Sequence, residues 1–295
     1  QKDINRLSVK AGEFAIPNEF DRLVEGMGGA WINAFTSDDA IVYLNKFPGN
    51  QIEKWLEVYS HRFVNPVFRL FQSELETVYE EKNRAMDNMF RNLFATYLKH
   101  FFKEHPYGQQ TVLGSVDHLK NPSLTKMREY YDTYYVANNM ALILTGDIYP
   151  DEILPLIEAK FGIWKSGEIP ASIEITEKPF DGREKINKRM TPIKVGFMGY
   201  RTIPVGHDDE GALALSLQLL TNESKTGLID ELVVDRKIME AGAFNMDYVD
   251  MGAANFFFLP KLFFQSLTKA ENLVRGQIDK LKSGDFDDEY FNAVK

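Results

Sequence analysis

No cysteine occurs among the 295 residues. Disulfides, thiolate catalysis and Cys-ligated zinc are thereby excluded, although the compartment is not fixed by it. Histidine is also scarce. There are five, His61, His100, His105, His118 and His207, so any metal site must draw on these and on Asp or Glu. No run approaches the ~20 apolar residues that cross a bilayer, so no membrane span is expected. Lys and Arg number 34 against 43 Asp and Glu, a net charge of −9, and no dense basic cluster stands out. That balance argues against a nucleic-acid partner. The start, QKDINRLSVKAG, lacks a signal peptide's apolar run, so an export signal is expected either to have been removed or never to have existed. A cysteine-free, acidic chain fits a periplasm, a cytosol or an organelle, and the reading leans to a bacterial periplasm.

What is present is enough apolar content, 44%, for two domains each with its own core. Residues 4–12 could form a strand. PNEFDRLVEGMGG reads as a helix with Pro17 in its first turn, glycines past its end, and Leu23, Val24 and Met27 facing inward. WINAFTSDDAIVYLNKF alternates β-branched and aromatic residues around Ser37–Asp39 and predicts a hairpin. Apolar residues at 52, 55, 56, 59 and 63 have helical spacing. A long helical stretch follows over roughly 68–103, then helices near 123–136 and 150–162 with the strand MALILTG between them. Residues 165–184 carry the Pro, Gly and Ser of a linker. Beyond it come a strand (TPIKVGFMGYRTI), two helices (DDEGALALSLQLLT and SKTGLIDELVVDRKI), two strands (GAFNMDYVD and ANFFFLPKLFF) and a helix (LTKAENLVRGQIDKLKSG). This order resembles that of the first half. The fold expected is α+β: two related domains, 1–168 and 185–295, joined by a linker at 169–184, each a mostly antiparallel sheet packed against helices. The closing DDEYFNAVK reads as the start of another helix, so the second domain is expected to be incomplete and the sequence part of a longer protein.

The segment FQSELETVYEEKNRAMDN (71–88) poses the functional question. On a helix, Glu74, Val78 and Glu81 share one side. One reading makes all its carboxylates a solvated face balanced by Lys82 and Arg84. The other turns Glu74 and Glu81 inward, where they would repel and need a nearby cation, and zinc accepts carboxylate oxygen.

GGAWINAFTSDDAIVYL, FVNPVF, ELETVYEEKNR, HPYGQQTVLGSVDHL and YYDTYYVANNMALILTGD, in that order, resemble the pitrilysin/insulinase family of zinc metallopeptidases, which includes the mitochondrial processing peptidases. The resemblance covers most of 14–165 and continues more weakly to 295. It implies that Glu81 is the third ligand of a Zn2+ ion and that Glu74 orients the site from outside the ligand set. It also implies that Asn33, Ala34, Phe35 and Thr36 form an edge strand whose backbone pairs with a substrate peptide. The activity implied is zinc-dependent endopeptidase action on oligopeptides or small unfolded polypeptides inside a clam-like chamber. The other half would come from the rest of the chain or from a partner subunit. The alternative is a catalytically inactive member serving as scaffold or substrate-binding partner.

The family's His-x-x-Glu-His motif, which supplies two histidine ligands and the catalytic glutamate, is missing. HDDE at His207–Glu210 lacks the second histidine, and its carboxylates suit a helix N-terminus. LSVKAGE resembles the strand before the family's motif helix, FAIPNEFDRLVEGMGG the segment after it, and here they join at Glu13–Phe14. Either the motif segment is absent from this sequence alone, or the protein has lost it; the persistence of Glu74, Glu81 and the strand favours the former.

Overall fold

The computed structural model describes residues 6, 7, 10, 12–14, 16, 18–68 and 71–295. Of the strand expected over 4–12, the described residues 6, 7, 10 and 12 are helical rather than extended, and Glu13 and Phe14, at the expected junction, lie in a turn; the rest of that strand falls outside the described residues.

Helix α1 (Glu19–Gly26) is followed by β1 (Ala30–Thr36) and β2 (Ile41–Lys46), with the turn where the sequence placed it. Gly28, at φ +83°, adopts the left-handed conformation that lets the chain leave α1 and enter β1. Val24 is fully buried and Met27 packs on the core, but Leu23 is exposed. The helix expected from apolar spacing is α2 (Ile52–Val64). The stretch expected as one helix is two, α3 (Phe71–Asp87) and α4 (Met89–Phe101), parted at Asn88. Asp87 and Asn88 are both weak helix formers whose side chains compete for the backbone. After the short helices α5 (Pro106–Gln109) and α6 (Val116–Lys120) come α7 (Leu124–Tyr134) and α8 (Pro150–Phe161). Then follow β3 (Gly196–Thr202), α9 (Glu210–Leu220), α10 (Asp230–Val234), β4 (Glu240–Met246), β5 (Gly252–Leu259), α11 (Leu267–Ser283) and α12 (Asp288–Val294). The fold is α+β, and both sheets are antiparallel.

Three expected elements are reduced or missing; one is the strand ANFFFLPKLFF, which stops at Leu259, with residues 262–264 in a turn. MALILTG is extended at Met140 but joins no ladder among the described residues. SKTGLIDELVVDRKI yields only the five-residue α10. There the buried Asp230 carboxylate instead accepts N–H bonds from Asn222 (2.9 Å) and Gly227 (3.2 Å), which fixes the preceding residues as a loop.

The chain divides into two compact units, residues 1–88 with 110–176 and residues 89–109 with 177–295. Residues 89–109 thus pack with the second half although the sequence order groups them with the first. The first unit has an aromatic core. Trp55 stacks between Phe47 (4.8 Å) and Tyr59 (4.2 Å), and Phe63 stacks on Trp164 (5.8 Å). Asn45 Oδ1 accepts from Trp55 Nε1 (3.0 Å) and Tyr59 OH (3.1 Å), which ties the hairpin to α2.

In the second unit β5 lies between β3 and β4. Ala254, Phe256 and Phe258 face a core with Leu220, Ile229, Leu232 and Val274, while Ala253 and Asn255 face α4. Burial on both faces explains why its sequence is a near-continuous apolar run. Gly199 lets α4 approach β3, since a Cβ there would collide with Tyr97 Oη. Part of the expected linker is anchored in this unit. The buried Glu177 accepts N–H bonds from Glu104 and His105, both 2.8 Å, and pairs with Arg201 at 2.9 Å.

Candidate functional site

The β1–β2 hairpin closes on Ser37. Its N–H donates to Ala40 O (2.8 Å), and its Oγ accepts from Ala40 N (3.0 Å). The register pairs Thr36 with Ile41, Phe35 with Val42, Ala34 with Tyr43 and Asn33 with Leu44. In an antiparallel ladder, hydrogen-bonded and non-bonded pairs alternate. Counting from the bonded Ser37–Ala40 pair, Phe35 and Asn33 spend their backbone groups on β2. Ala34 and Thr36 therefore turn their N–H and C=O groups to the outer edge of β1. No further strand pairs there among the described residues. Residues 33–36 are exposed, whereas residues 42–45 of β2 are half-buried, so β1 presents the more open edge.

Two features shape this edge. Asn33 Oδ1 accepts the Ala34 N–H (2.9 Å), so the side chain already occupies one outward donor. At its start, a bulge between Ala30 and Asn33 sets Trp31 at φ +57°, with Lys46 Nζ 3.8 Å from the ring centroid. A bulge of this kind ends regular pairing and bends the strand. Sequence pattern located the hairpin, but which amides face outward follows only from the register.

The acidic helix is α3, which packs against α6, and Lys82 Nζ donates to Thr111 Oγ1 (3.3 Å). At about 100° per residue, Glu74 and Glu81 fall about 20° apart on its surface. Phe71, Leu75, Val78 and Lys82 make its half-buried side, while Glu74, Thr77, Glu81 and Arg84 are exposed. The inward orientation expected of Glu74 and Glu81 is not found: both carboxylates lie on the solvent side, at the margin next to Val78. Seven residues of helix also separate them by about 10 Å along the axis, so a single ion can take only one of them.

The histidines do not complete a metal site. His105 is buried, with Nε2 3.1 Å from Asp250 Oδ2 and Nδ1 accepting from Tyr107 N. His207 Nδ1 accepts the Asp209 N–H (3.1 Å) beside the N-terminus of α9, the setting expected of that acidic segment. His61 and His118 are exposed, and the His118 N–H belongs to the cap that Ser115 gives α6. Among the described residues no group of three or more His, Asp or Glu side chains could hold a metal ion. The residues present therefore do not by themselves fit zinc; they offer one exposed carboxylate where a set of ligands is required.

The second unit holds polar groups that sequence reasoning missed: Glu177 with Arg201, and Tyr97, whose OH donates to the fully buried Asn255 Oδ1 at 2.7 Å. Burial pushes the Tyr97 hydroxyl well above the usual phenol range. These contacts are long-range and join residues with no local motif, so no sequence signal marks them.

Residues 4–113 match the family description "Insulinase (Peptidase family M16)" and residues 122–295 match "Peptidase M16 inactive domain". An uncharacterized zinc protease of Bacillus subtilis, YmfH, is 25% identical over 225 residues, 75% of this chain and 51% of that protein. The β subunit of the mitochondrial-processing peptidase of Caenorhabditis elegans is 23% identical over 243 residues, 78% and 52% of the two chains. The chain thus spans about half the length of these curated relatives. Among solved structures, a protease from Helicobacter pylori superimposes with a TM-score of 0.83 at 23% identity, over 94% of this chain and 68% of that one. The last likeness is evidence of fold alone.

Proposed function

The chain belongs to peptidase family M16, and on that premise we propose that it forms the substrate-gripping part of a zinc-dependent endopeptidase acting on oligopeptides or small unfolded polypeptides. The observation that carries the proposal is the open edge of β1. An extended peptide can add there as a further strand, bonding to the backbone of Ala34 and Thr36, without regard to its own sequence. Asn33 and Phe35 hold that edge in register through β2, and the Asn33 side chain yields the Ala34 N–H when a peptide carbonyl arrives.

In this reading Glu81 is the carboxylate the chain contributes to a metal site whose imidazole ligands lie outside this sequence, and Glu74 orients the site. Exposure of both suits a surface that another segment covers. When bound, zinc would polarise the scissile carbonyl and lower the pKa of a bound water. What this chain's own residues contribute is the alignment of the peptide along β1. The second unit, whose residues 177–295 lie within the stretch that matches the inactive domain, serves as a structural half, and a further family half would complete a chamber from the same protein or from a partner subunit. The zinc protease names of the relatives support this reading.

Metal analysis and peptide hydrolysis by the complete protein test it. Glu81→Gln should abolish stoichiometric zinc, and Glu74→Gln should lower hydrolysis about 10–100-fold with most of the metal retained. Equal, negligible effects of both substitutions would refute the site. A second reading, a non-catalytic member that binds peptides for an active subunit, is favoured by the missing histidine ligands. It predicts a well-folded complete protein that binds peptide and contains no zinc.

A further inference from the structure

The loop between β5 and α11, Pro260–Ser266, exposes three consecutive large apolar side chains. Leu262 is 62% exposed, Phe263 75% and Phe264 106%. The loop does not hang free. At its base the buried Gln265 accepts the Lys261 N–H through Oε1 (2.6 Å) and donates Nε2–H to Lys237 O (2.9 Å). Lys194 Nζ bonds to the Gln265 carbonyl (3.4 Å), and Ser266 caps α11 by accepting the Lys269 N–H (3.1 Å). Phe264 sits at φ +63°, a conformation unusual for a bulky residue. A polar clamp thus holds an apolar tip away from the core of its own unit, where burial would stabilise it.

The charge around the tip runs against the charge of the protein. Lys185, Lys194, Lys261 and Lys269 are all exposed beside the loop or at the start of α11. None has a carboxylate partner among the described residues, whereas the nearby Lys237 pairs with Asp235 (2.8 Å) and Arg183 with Glu271. Glu240, opposite Leu259 in the β4–β5 ladder, is a further acidic residue near the base. In a chain of net charge −9, this leaves a local basic collar around a projecting phenyl pair.

We propose that the Leu262–Phe264 tip docks on an anionic lipid surface, its two phenyl rings entering the interface and the lysines meeting the headgroups. A convex knob of flexible apolar side chains needs no matching pocket when its partner is fluid, and each basic residue near an anionic leaflet adds to the attraction. This surface is independent of the β1 edge, so it stands whether or not the chain grips peptides.

Vesicle co-sedimentation of the complete protein decides the matter. Binding should be stronger to phosphatidylcholine vesicles containing about a third phosphatidylserine than to phosphatidylcholine alone, and should weaken as salt screens the lysines. F263S/F264S should lower partitioning at least about tenfold, as expected when two phenyl rings lose their transfer out of water. K261E/K269E should remove the preference for the anionic vesicles. Circular dichroism melting should be unchanged in both variants, since the altered side chains are exposed. Absence of binding to either vesicle, or undiminished binding by F263S/F264S, would overturn the proposal. So would a concentration-dependent dimer that the same variant abolishes, which would assign the tip to a protein contact.

Discussion

The two units solve the problem of a small antiparallel sheet in opposite ways. In the second, β5 is enclosed on both edges by β3 and β4 and on both faces by helices. Its polar groups are tied in as well: Asn255 is bonded to Tyr97, and Glu177 to Arg201 and two backbone amides. In the first, two strands pack one face on an aromatic core, and β1 keeps its outer backbone groups and most of its side chains in solvent. An exposed edge is ordinarily a liability, and proteins blunt it with charge, proline or bulges. Here the protection is slight, a bulge at Trp31 and the Asn33 side chain on one amide, and both can be displaced or passed by a peptide. A closed sheet suits a structural role, and an open one suits binding.

Glu177→Gln should break this contrast most strongly. It leaves Arg201 without its buried partner and should cost the second unit about 3–5 kcal/mol. All three tryptophans, Trp31, Trp55 and Trp164, belong to the first unit, so their fluorescence reports on that unit alone. The second unit should melt earlier by circular dichroism while the tryptophan transition stays in place. Coincident early loss of both signals would show that the two units do not unfold separately.

Alkaline titration should come next in effect. In the first unit burial raises Tyr59, pushes Tyr131 to about 12 and carries Tyr135, which also bonds to Tyr43, higher still. Below about pH 10 these groups are neutral in both folded and unfolded chains, so their contribution to stability is whole. As pH rises, the unfolded chain ionises first, and stability is lost between about pH 10 and the raised folded values. The tryptophan signal should therefore weaken above pH 10. A signal unchanged through pH 12 would mean these hydroxyls are solvated.

Smaller effects should distinguish the β1 edge itself. Ala34→Pro removes an outward N–H without taking a bond from the β1–β2 ladder. Peptide affinity should fall about tenfold, the worth of one good hydrogen bond, with little change in melting temperature. Asn33→Ala, which frees the Ala34 N–H, should shift affinity by no more than about threefold, because an exposed side chain is easily displaced. Calorimetry with an extended peptide reads both, and the reverse order of effects would mean that the Asn33 amide, not the Ala34 backbone, holds the peptide.

Much of this was legible in the sequence because it rests on short-range pattern. The hairpin turn at Ser37, the buried positions of α2, the end of α11 at Gly284 (φ +69°) and the strand at β5 all follow from spacing and turn chemistry. What pattern missed depends on distant partners. MALILTG has strand composition but joins no ladder among the described residues. The expected helix over 68–103 divides at Asn88 because its two parts pack into different units. For α3 the spacing showed that Glu74 and Glu81 share a side. It could not show that this side faces solvent, since the margin between its polar and half-buried surfaces lies beside Val78.

The central claim is that the outer edge of β1 receives a peptide as a strand. Residue-resolved amide hydrogen exchange, with and without a bound extended peptide, tests it most directly. The account predicts new protection at Ala34 and Thr36, with Phe35 already protected by β2 in the free protein. Peptide binding that leaves the exchange of Ala34 and Thr36 unchanged would contradict it.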